Sequence, residues 1–306
     1  MIRPPALRPG ARIALVAPAG PLAEGAVDRA EERLRGWGFE PVVGRCARDR
    51  HGYLSAPDAQ RVDDLNDALR DDSVDAIWCL RGGYGVMRIL DAIDWRALAA
   101  RPRPVIGFSD NTALHLGIQR LGIVSFHGPH PATQTLTAFS EDGLLRALTV
   151  AEPAGVLPFP DGAARAETLV PGAAEGRLVG GNLALVAATL GTPYAIRAEG
   201  AILFLEEVGE HMYRLDRLLT QLRLAGVLDG VAGIALGGIT EIPDADEPGV
   251  PALVDVLRDR LGEMGVPVAY GFPFGHVDES WTLPEGVRAR LDADAGTLEL
   301  LEPAVS

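Results

Sequence analysis

The sequence predicts an α/β protein of two domains. Three observations carry that prediction. Short apolar runs recur along the chain, at residues 12–17, 74–80, 105–108, 123–126, 201–207 and 231–238. Segments with apolar residues at helical spacing lie between them, such as Leu22, Ala26, Ala30 and Leu34. A Pro-, Gly- and Ala-rich stretch without periodicity, residues 151–175, separates two such series. Continuous apolar strands are buried on both faces, and alternating helices supply the two covering layers of a parallel sheet. A chain of 306 residues has room for two ordinary domains.

In chain order, the N-terminal domain, residues 1–150, opens with the strand RIALVA at 12–17, flanked by Pro and Gly. A helix is expected over 22–36, then a strand at 40–44. A second helix covers 58–71, with Val62, Leu65 and Leu69 on one face. Strands follow at 74–80, 105–108 and 123–126, with a helix at 111–121. Residues 151–175 read as a linker. The C-terminal domain, 176–306, begins with a strand, a glycine pair and a helix in GRLVGGNLALVAATLG. Strands are expected at 201–207, 231–238 and 267–270, and helices near 212–225 and 250–262. The final stretch alternates and turns at Ala295-Gly296, which predicts a hairpin and hence an antiparallel edge.

Composition excludes several functions. The net charge of −14 disfavours a phosphate backbone, so no nucleic-acid partner is expected. No apolar run approaches the roughly 20 residues of a membrane span. The longest apolar run near the N-terminus, Ile13 to Ala17, is too short for a signal-peptide core, and a cytoplasmic protein is expected. Two cysteines, Cys46 and Cys79, make neither a disulfide scaffold nor a metal motif.

VIGFSDNTALH, residues 105–115, brings a buried strand through a turn into a helix, with Ser109 at the corner. Strand, sharp turn and helix form the geometry of a nucleophile elbow, which lifts a serine out of the sheet at its carboxyl end. The Asp110 N–H then points where an oxyanion would develop. Position 111 is Asn where the usual elbow has Gly. The other reading of the same residues is a helix cap by Ser109 or Asp110.

A serine nucleophile needs a base. Among His51, His115, His127, His130, His211 and His276, the last stands in the loop GFPFGH after a strand. His127 and His130, in HGPH, are rival bases or metal ligands, but no third ligand has suitable spacing. A base needs an orienting acceptor. Glu206 stands where the strand AILFL runs out, and Glu207 should face the other way. Glu206 can equally cap the next helix or pair with an arginine. The loop LRGGYG, residues 80–85, offers backbone donors for an oxyanion or is a plain tight turn. VGGN, residues 179–182, sits at a similar junction and can line the same cleft.

VAPAG, LRGGYG, GFSDNTALH, VGGNL, LFLEEVGEHMYRLDRLLTQL and GFPFGH occur in this order. Together they resemble the LD-carboxypeptidase family of serine peptidases, which includes microcin C immunity peptidases. The resemblance implies a Ser109–Glu206–His276 triad and an oxyanion hole from the Asp110 and Gly83 N–H groups. It implies a swivelling C-terminal α/β domain, a homodimer, and no metal or organic cofactor. The implied substrate is a murein tetrapeptide that loses its terminal D-Ala in cytoplasmic cell-wall recycling. The alternatives are an aminoacyl-nucleotide amide or another acyl bond. Tyr213, Arg214, Asp216 and Arg217 look more like the murein branch. Such a substrate has a free carboxylate, for which Arg81, beside Gly82, is the candidate cation; a structural ion pair is the other role for Arg81.

Overall fold

The computed structural model describes residues 1–306. It divides into two compact units. The first holds β1 (Arg12–Val16), α1 (Ala26–Gly36), β2 (Glu40–Val43), α2 (Asp58–Arg70), β3 (Ala76–Cys79), α3 (Trp95–Ala100), β4 (Val105–Gly107), α4 (Thr112–Gln119), β5 (Ser125–His127) and α5 (Ala138–Thr149). The second holds β6 (Gly155–Val156), β7 (Glu167–Val170), β8 (Ala173–Asn182), α6 (Leu183–Ala188), β9 (Ala201–Val208), α7 (Met212–Leu224), β10 (Gly233–Thr240), α8 (Leu253–Leu261) and β11 (Val268–Tyr270). The chain continues through β12 (Leu283–Glu285), β13 (Arg288–Asp292) and β14 (Thr297–Leu300).

In the first unit the sheet order is β12-β5-β4-β3-β1-β2. The five strands β1 to β5 are parallel, and β12 closes one edge antiparallel to β5. The chain passes from β1 to β2 on one side and crosses back from β2 to β3 on the other, so the carboxyl ends of β1 and β3 flank a topological switch point. Strands β3 and β4, and β1 beyond Arg12, are apolar because helices cover both faces. Ile13, Leu15, Ile77, Trp78 and Ile106 are wholly buried.

In the second unit the order is β6-β14-β13-β8-β9-β10-β11-β7. The four central strands, β8 to β11, are parallel. Both margins are antiparallel: β7 on β11 at one, and β13, β14 and β6 beyond β8 at the other. The hairpin turning at Ala295-Gly296 is the β13–β14 pair.

Two expected boundaries differ. Residues 151–175 are not a bare linker, since β6, β7 and the start of β8 lie within them. Both β6 and β7 are edge strands, where Pro, Gly and polar residues are tolerated and no alternation is enforced. The C-terminal region is not one piece either. Thr282–Gly286 and Pro303–Ser306 belong to the first unit, through β12 pairing with β5 and the Ala6 N–H donating to the Ser306 carbonyl.

Candidate active site

In the first unit, three strand-end loops converge. β4 ends at Gly107, and Ser109 opens a one-turn 3-10 segment that leads into α4. Ser109 has φ 62°, the left-handed region that costs a non-glycine residue about 1–2 kcal/mol. Its side chain caps neither the 3-10 turn nor α4. Asp110 does not cap them either: its buried carboxylate accepts from the Val86 N–H at 2.9 Å. The capping alternative for these two residues therefore falls away. Burial pushes the Asp110 carboxyl up from its ordinary pKa, against the opposing effects of the Val86 N–H and the Arg61 charge.

Asn111 explains the departure from the usual elbow pattern. Its amide donates to the Arg81 carbonyl at 3.2 Å and to the Phe108 carbonyl at 3.1 Å, tying the elbow to the loop after β3. Gly107 keeps its role, because a Cβ there would stand 3.0 Å from the Asn111 Cβ and 3.1 Å from the Cys79 Cβ.

The glycine loop lies directly on the elbow. A Cβ on Gly82 would meet the Ser109 Oγ at 2.8 Å and the Asp110 nitrogen at 3.3 Å. Only a glycine leaves that space open beside the serine. Gly83 follows with φ 106°, and the Gly82 carbonyl accepts from the Gly20 N–H at 3.0 Å, joining the loop after β1 to the other two. Arg81 is exposed and donates through Nη1 to the Pro21 carbonyl.

His115, on α4, braces the elbow from below. The Gly107 carbonyl can only accept, so Nε2–H donates to it at 2.8 Å, and Nδ1 accepts from the Ser125 hydroxyl at 2.9 Å. Burial pushes its pKa down to about 4, the Gly107 bond opposing, so the ring is neutral. His127 and His130 are buried nearby. Nδ1 of His130 is 2.9 Å from the Cys79 carbonyl oxygen, and its ring packs 4.5 Å from Phe108. Neither belongs to a group of three or more ligands arranged for a metal.

In the second unit, Glu206 and His276 meet. Glu206 is fully buried on β9, and its Oε2 accepts from His276 Nδ1 at 2.7 Å. Burial opposes the imidazolium, but the hydrogen bond to Glu206 and the charges of Glu206, Glu207 and Glu241 outweigh it. The pKa of His276 therefore stands above its ordinary value. This contact has an identifiable origin. The register of β10 against β9 shifts between Leu236 and Ile239, a bulge at Gly237-Gly238. Phe274 fills the space, 2.4 Å from where a Gly237 Cβ would stand, and its carbonyl accepts from the Gly238 N–H. Phe272, Phe274 and Trp281 stack into one buried cluster that anchors the loop. Gly275, with φ 94°, lets the chain pass Glu206, where a Cβ would be 2.6 Å from Oε2.

Glu207 points the other way, as strand alternation requires. Its carboxylate accepts from the Asn182 amide at 3.0 Å and from the Ala184 N–H at 2.7 Å at the start of α6. Burial pushes its carboxyl up, these bonds opposing and the Glu206 charge adding. VGGN is thus part of the scaffold: Asn182 caps α6, and Gly180 packs against Phe204, whose carbonyl oxygen leaves no room for a Cβ. Tyr213 is exposed on α7, with the Arg214 and Arg217 guanidiniums 5.9 and 5.6 Å from its ring centre, while Asp216 pairs with Arg260.

Models of the LD-carboxypeptidase N-terminal and C-terminal domains match residues 13–128 and 175–291. The chain belongs to the LD-carboxypeptidase family. It is a serine-type peptidase of the carboxypeptidase class. A putative carboxypeptidase of Streptomyces coelicolor is 46% identical over 100% of this chain and 98% of its own. The murein tetrapeptide carboxypeptidase of Pseudomonas aeruginosa is 33% identical, covering 92% of this chain and 94% of its own. The microcin C7 self-immunity protein MccF in complex with aspartyl sulfamoyl adenosine superposes with a TM-score of 0.91. It is 25% identical and covers 100% of both chains.

The sequence alone assigns no role to Gly20, Ser55, Arg61 or His115 of this LD-carboxypeptidase family member. Ser55 and Arg61 act on loops distant in sequence. Ser55, for example, donates to the Ala17 carbonyl at 2.6 Å. The one local signal was available for His115, six residues after Ser109 on α4, which is buried from Thr112 to Ile118.

Proposed function

We propose that the protein is an LD-carboxypeptidase that removes the terminal D-Ala of murein tetrapeptides in cell-wall recycling, with Ser109, Glu206 and His276 as its triad. The observation that carries the reading is the backbone of Ser109. A non-glycine residue held at φ 62° close beside Gly82 is strained, and strain of this kind clusters at catalytic centres.

In this reading His276 takes the Ser109 proton and the alkoxide attacks the scissile carbonyl. Glu206 holds the imidazole in the tautomer with hydrogen on Nδ1 and stabilises the imidazolium that forms. The Asp110 and Gly83 N–H groups receive the oxyanion. His276 protonates the departing D-Ala amine. Water, activated by the same imidazole, then frees the acyl-enzyme. Arg81, anchored on the Pro21 carbonyl beside Gly82, receives the substrate carboxylate. No metal or cofactor takes part. His276 must be neutral to act as base, so kcat/KM rises with pH through its elevated pKa. The reading includes a homodimer acting in the cytoplasm; no helix is long and apolar enough to cross a membrane.

The test is mass spectrometry of L-Ala-γ-D-Glu-meso-diaminopimelate-D-Ala incubated with wild type and with Ser109→Ala. Release of D-Ala by wild type, reduced several orders of magnitude in the variant, is expected. Equal rates would remove Ser109 from the mechanism. The likeness to MccF with an aminoacyl-nucleotide analogue favours a second substrate class. Absence of D-Ala release, with cleavage of aminoacyl sulfamoyl nucleotides instead, would establish it.

A further inference from the structure

We infer that Arg61 is a positioning residue for the oxyanion hole, a role that rests on the reading of Ser109, Asp110 and Gly83 given above. Arg61 lies on α2, with only 1% of its surface exposed. A guanidinium buried so completely must have its donors satisfied. Four bonds do so. Nε donates to the Ala56 carbonyl at 3.1 Å, and Nη1 to the carbonyls of Pro18 and, at 3.0 Å, Gly85. Nη2 donates to the Asp58 carboxylate at 2.6 Å.

The acceptors decide the role. Pro18 lies in the loop after β1, which continues to Gly20. Gly85 closes the loop after β3, which carries Gly82 and Gly83. Loops at the carboxyl ends of strands have backbone groups that no sheet ladder satisfies, and buried ones need other partners. Arg61 supplies one cation to both loops. The neighbouring carbonyls are met by Ser55, whose hydroxyl reaches Ala17 at 2.6 Å and whose N–H reaches Ala19 at 2.9 Å. The next residue after Gly85 donates its N–H to Asp110, and the Arg61 charge acts on that carboxylate. A chain of contacts therefore runs from Arg61 through Gly85 and Val86 to the residue beside Ser109. The fit is tight: a Cβ on Gly85 would be 2.9 Å from Nη1, and Gly85 has φ 134°.

Arg61 touches none of the reacting atoms. It acts by fixing where the Gly82-Gly83 loop lies against Ser109. Lysine cannot replace it, because a single ammonium on a flexible stem does not present donors in a planar fork to separate loops.

The test compares Arg61→Lys with wild type in three readouts: D-Ala release, labelling of Ser109 by a fluorophosphonate, and inhibition by a peptide aldehyde, whose tetrahedral adduct carries the oxyanion. Arg61→Lys, folded by circular dichroism, is expected to lose about 100-fold in kcat, the scale of one oxyanion donor, with KM changed less than about threefold. Its aldehyde Ki is expected to rise by the same factor as kcat/KM falls, while the pH dependence set by His276 stays in place. A folded variant with wild-type kcat and Ki overturns the inference and leaves the triad reading intact. If Arg61→Lys does not fold, Asp58→Asn removes the partly exposed acid that Nη2 shares with the exposed Arg88. A loss of a few-fold in kcat with a matching rise in Ki supports the role, and an unchanged Ki overturns it. Wild type that neither releases D-Ala nor labels at Ser109 overturns the parent reading and this inference together.

Discussion

Acid should loosen the first unit through His115, and the size of the effect follows from its surroundings. The ring is fully buried, its Nε2–H is committed to the Gly107 carbonyl, and its Nδ1 accepts from Ser125. Burial lowers its pKa from 6.5 to about 4. The unfolded chain therefore takes up a proton as pH falls below the ordinary histidine value, while the folded chain refuses it until about pH 4. Stability is intact above that ordinary value and is lost progressively as the pH falls through the interval. At 1.36 kcal/mol for each pH unit, a gap of this width amounts to about 3 kcal/mol. His115→Gln keeps a polar side chain that does not titrate. Urea unfolding followed by tryptophan fluorescence suits the test, since Trp37, Trp78 and Trp95 lie in the first unit and only Trp281 in the second. The excess stability of wild type over the variant should shrink by about 3 kcal/mol between pH 7.5 and pH 4. Other carboxylates titrate in both proteins and cancel. A difference that stays constant would refute the reasoning. It would mean that the imidazolium is accommodated in the fold, with Glu285, 3.9 Å from Nδ1, as its counter-charge.

Glu206→Gln should lower kcat about 10⁴-fold by releasing the His276 tautomer, and should move the acidic limb of kcat/KM to lower pH, because the influence that raises the His276 pKa is gone. A pH–rate profile measures both, and an unmoved limb would dissociate Glu206 from the titration of His276. Ser109→Gly should be more stable than Ser109→Ala by about 0.5–1 kcal/mol, the relief of left-handed strain less the entropy of an unfolded glycine. Urea midpoints decide it, and a more stable alanine variant would show that the turn carries no strain.

The parallel cores of both units were legible because strands buried on two faces leave continuous apolar runs, as RIALV and AILFL do. The elbow was legible from a strand that meets Gly107 and then a helix. β12 was not. Residues 282–286 contain Pro284 and Glu285, which suit an edge strand but carry no alternation, and the partner β5 is more than 150 residues away. Arg61 was invisible for a related reason. On α2 it stands next to Val62 and reads as an ordinary charged helix residue. It is buried by loops that reach it from Pro18 and Gly85, so its environment is wholly tertiary.

The adjacent acids Glu206 and Glu207 show how little sequence is needed to separate a catalytic candidate from a structural residue. Strand alternation alone sends them to opposite faces, and each face then decides a function. On one face Glu207 meets Asn182 and the first turn of α6, where a carboxylate satisfies a backbone N–H and suits the helix N-terminus. On the other face Glu206 would be a buried charge without a partner, an expensive arrangement unless something comes to it. The bulge at Gly237-Gly238 admits Phe274, and the left-handed Gly275 turns the chain so that the next residue, His276, delivers Nδ1 to within 2.7 Å. The desolvated acid and the histidine thus explain each other: the bulge makes room for Phe274, and Gly275 permits the close pass along Glu206 that puts His276 within reach.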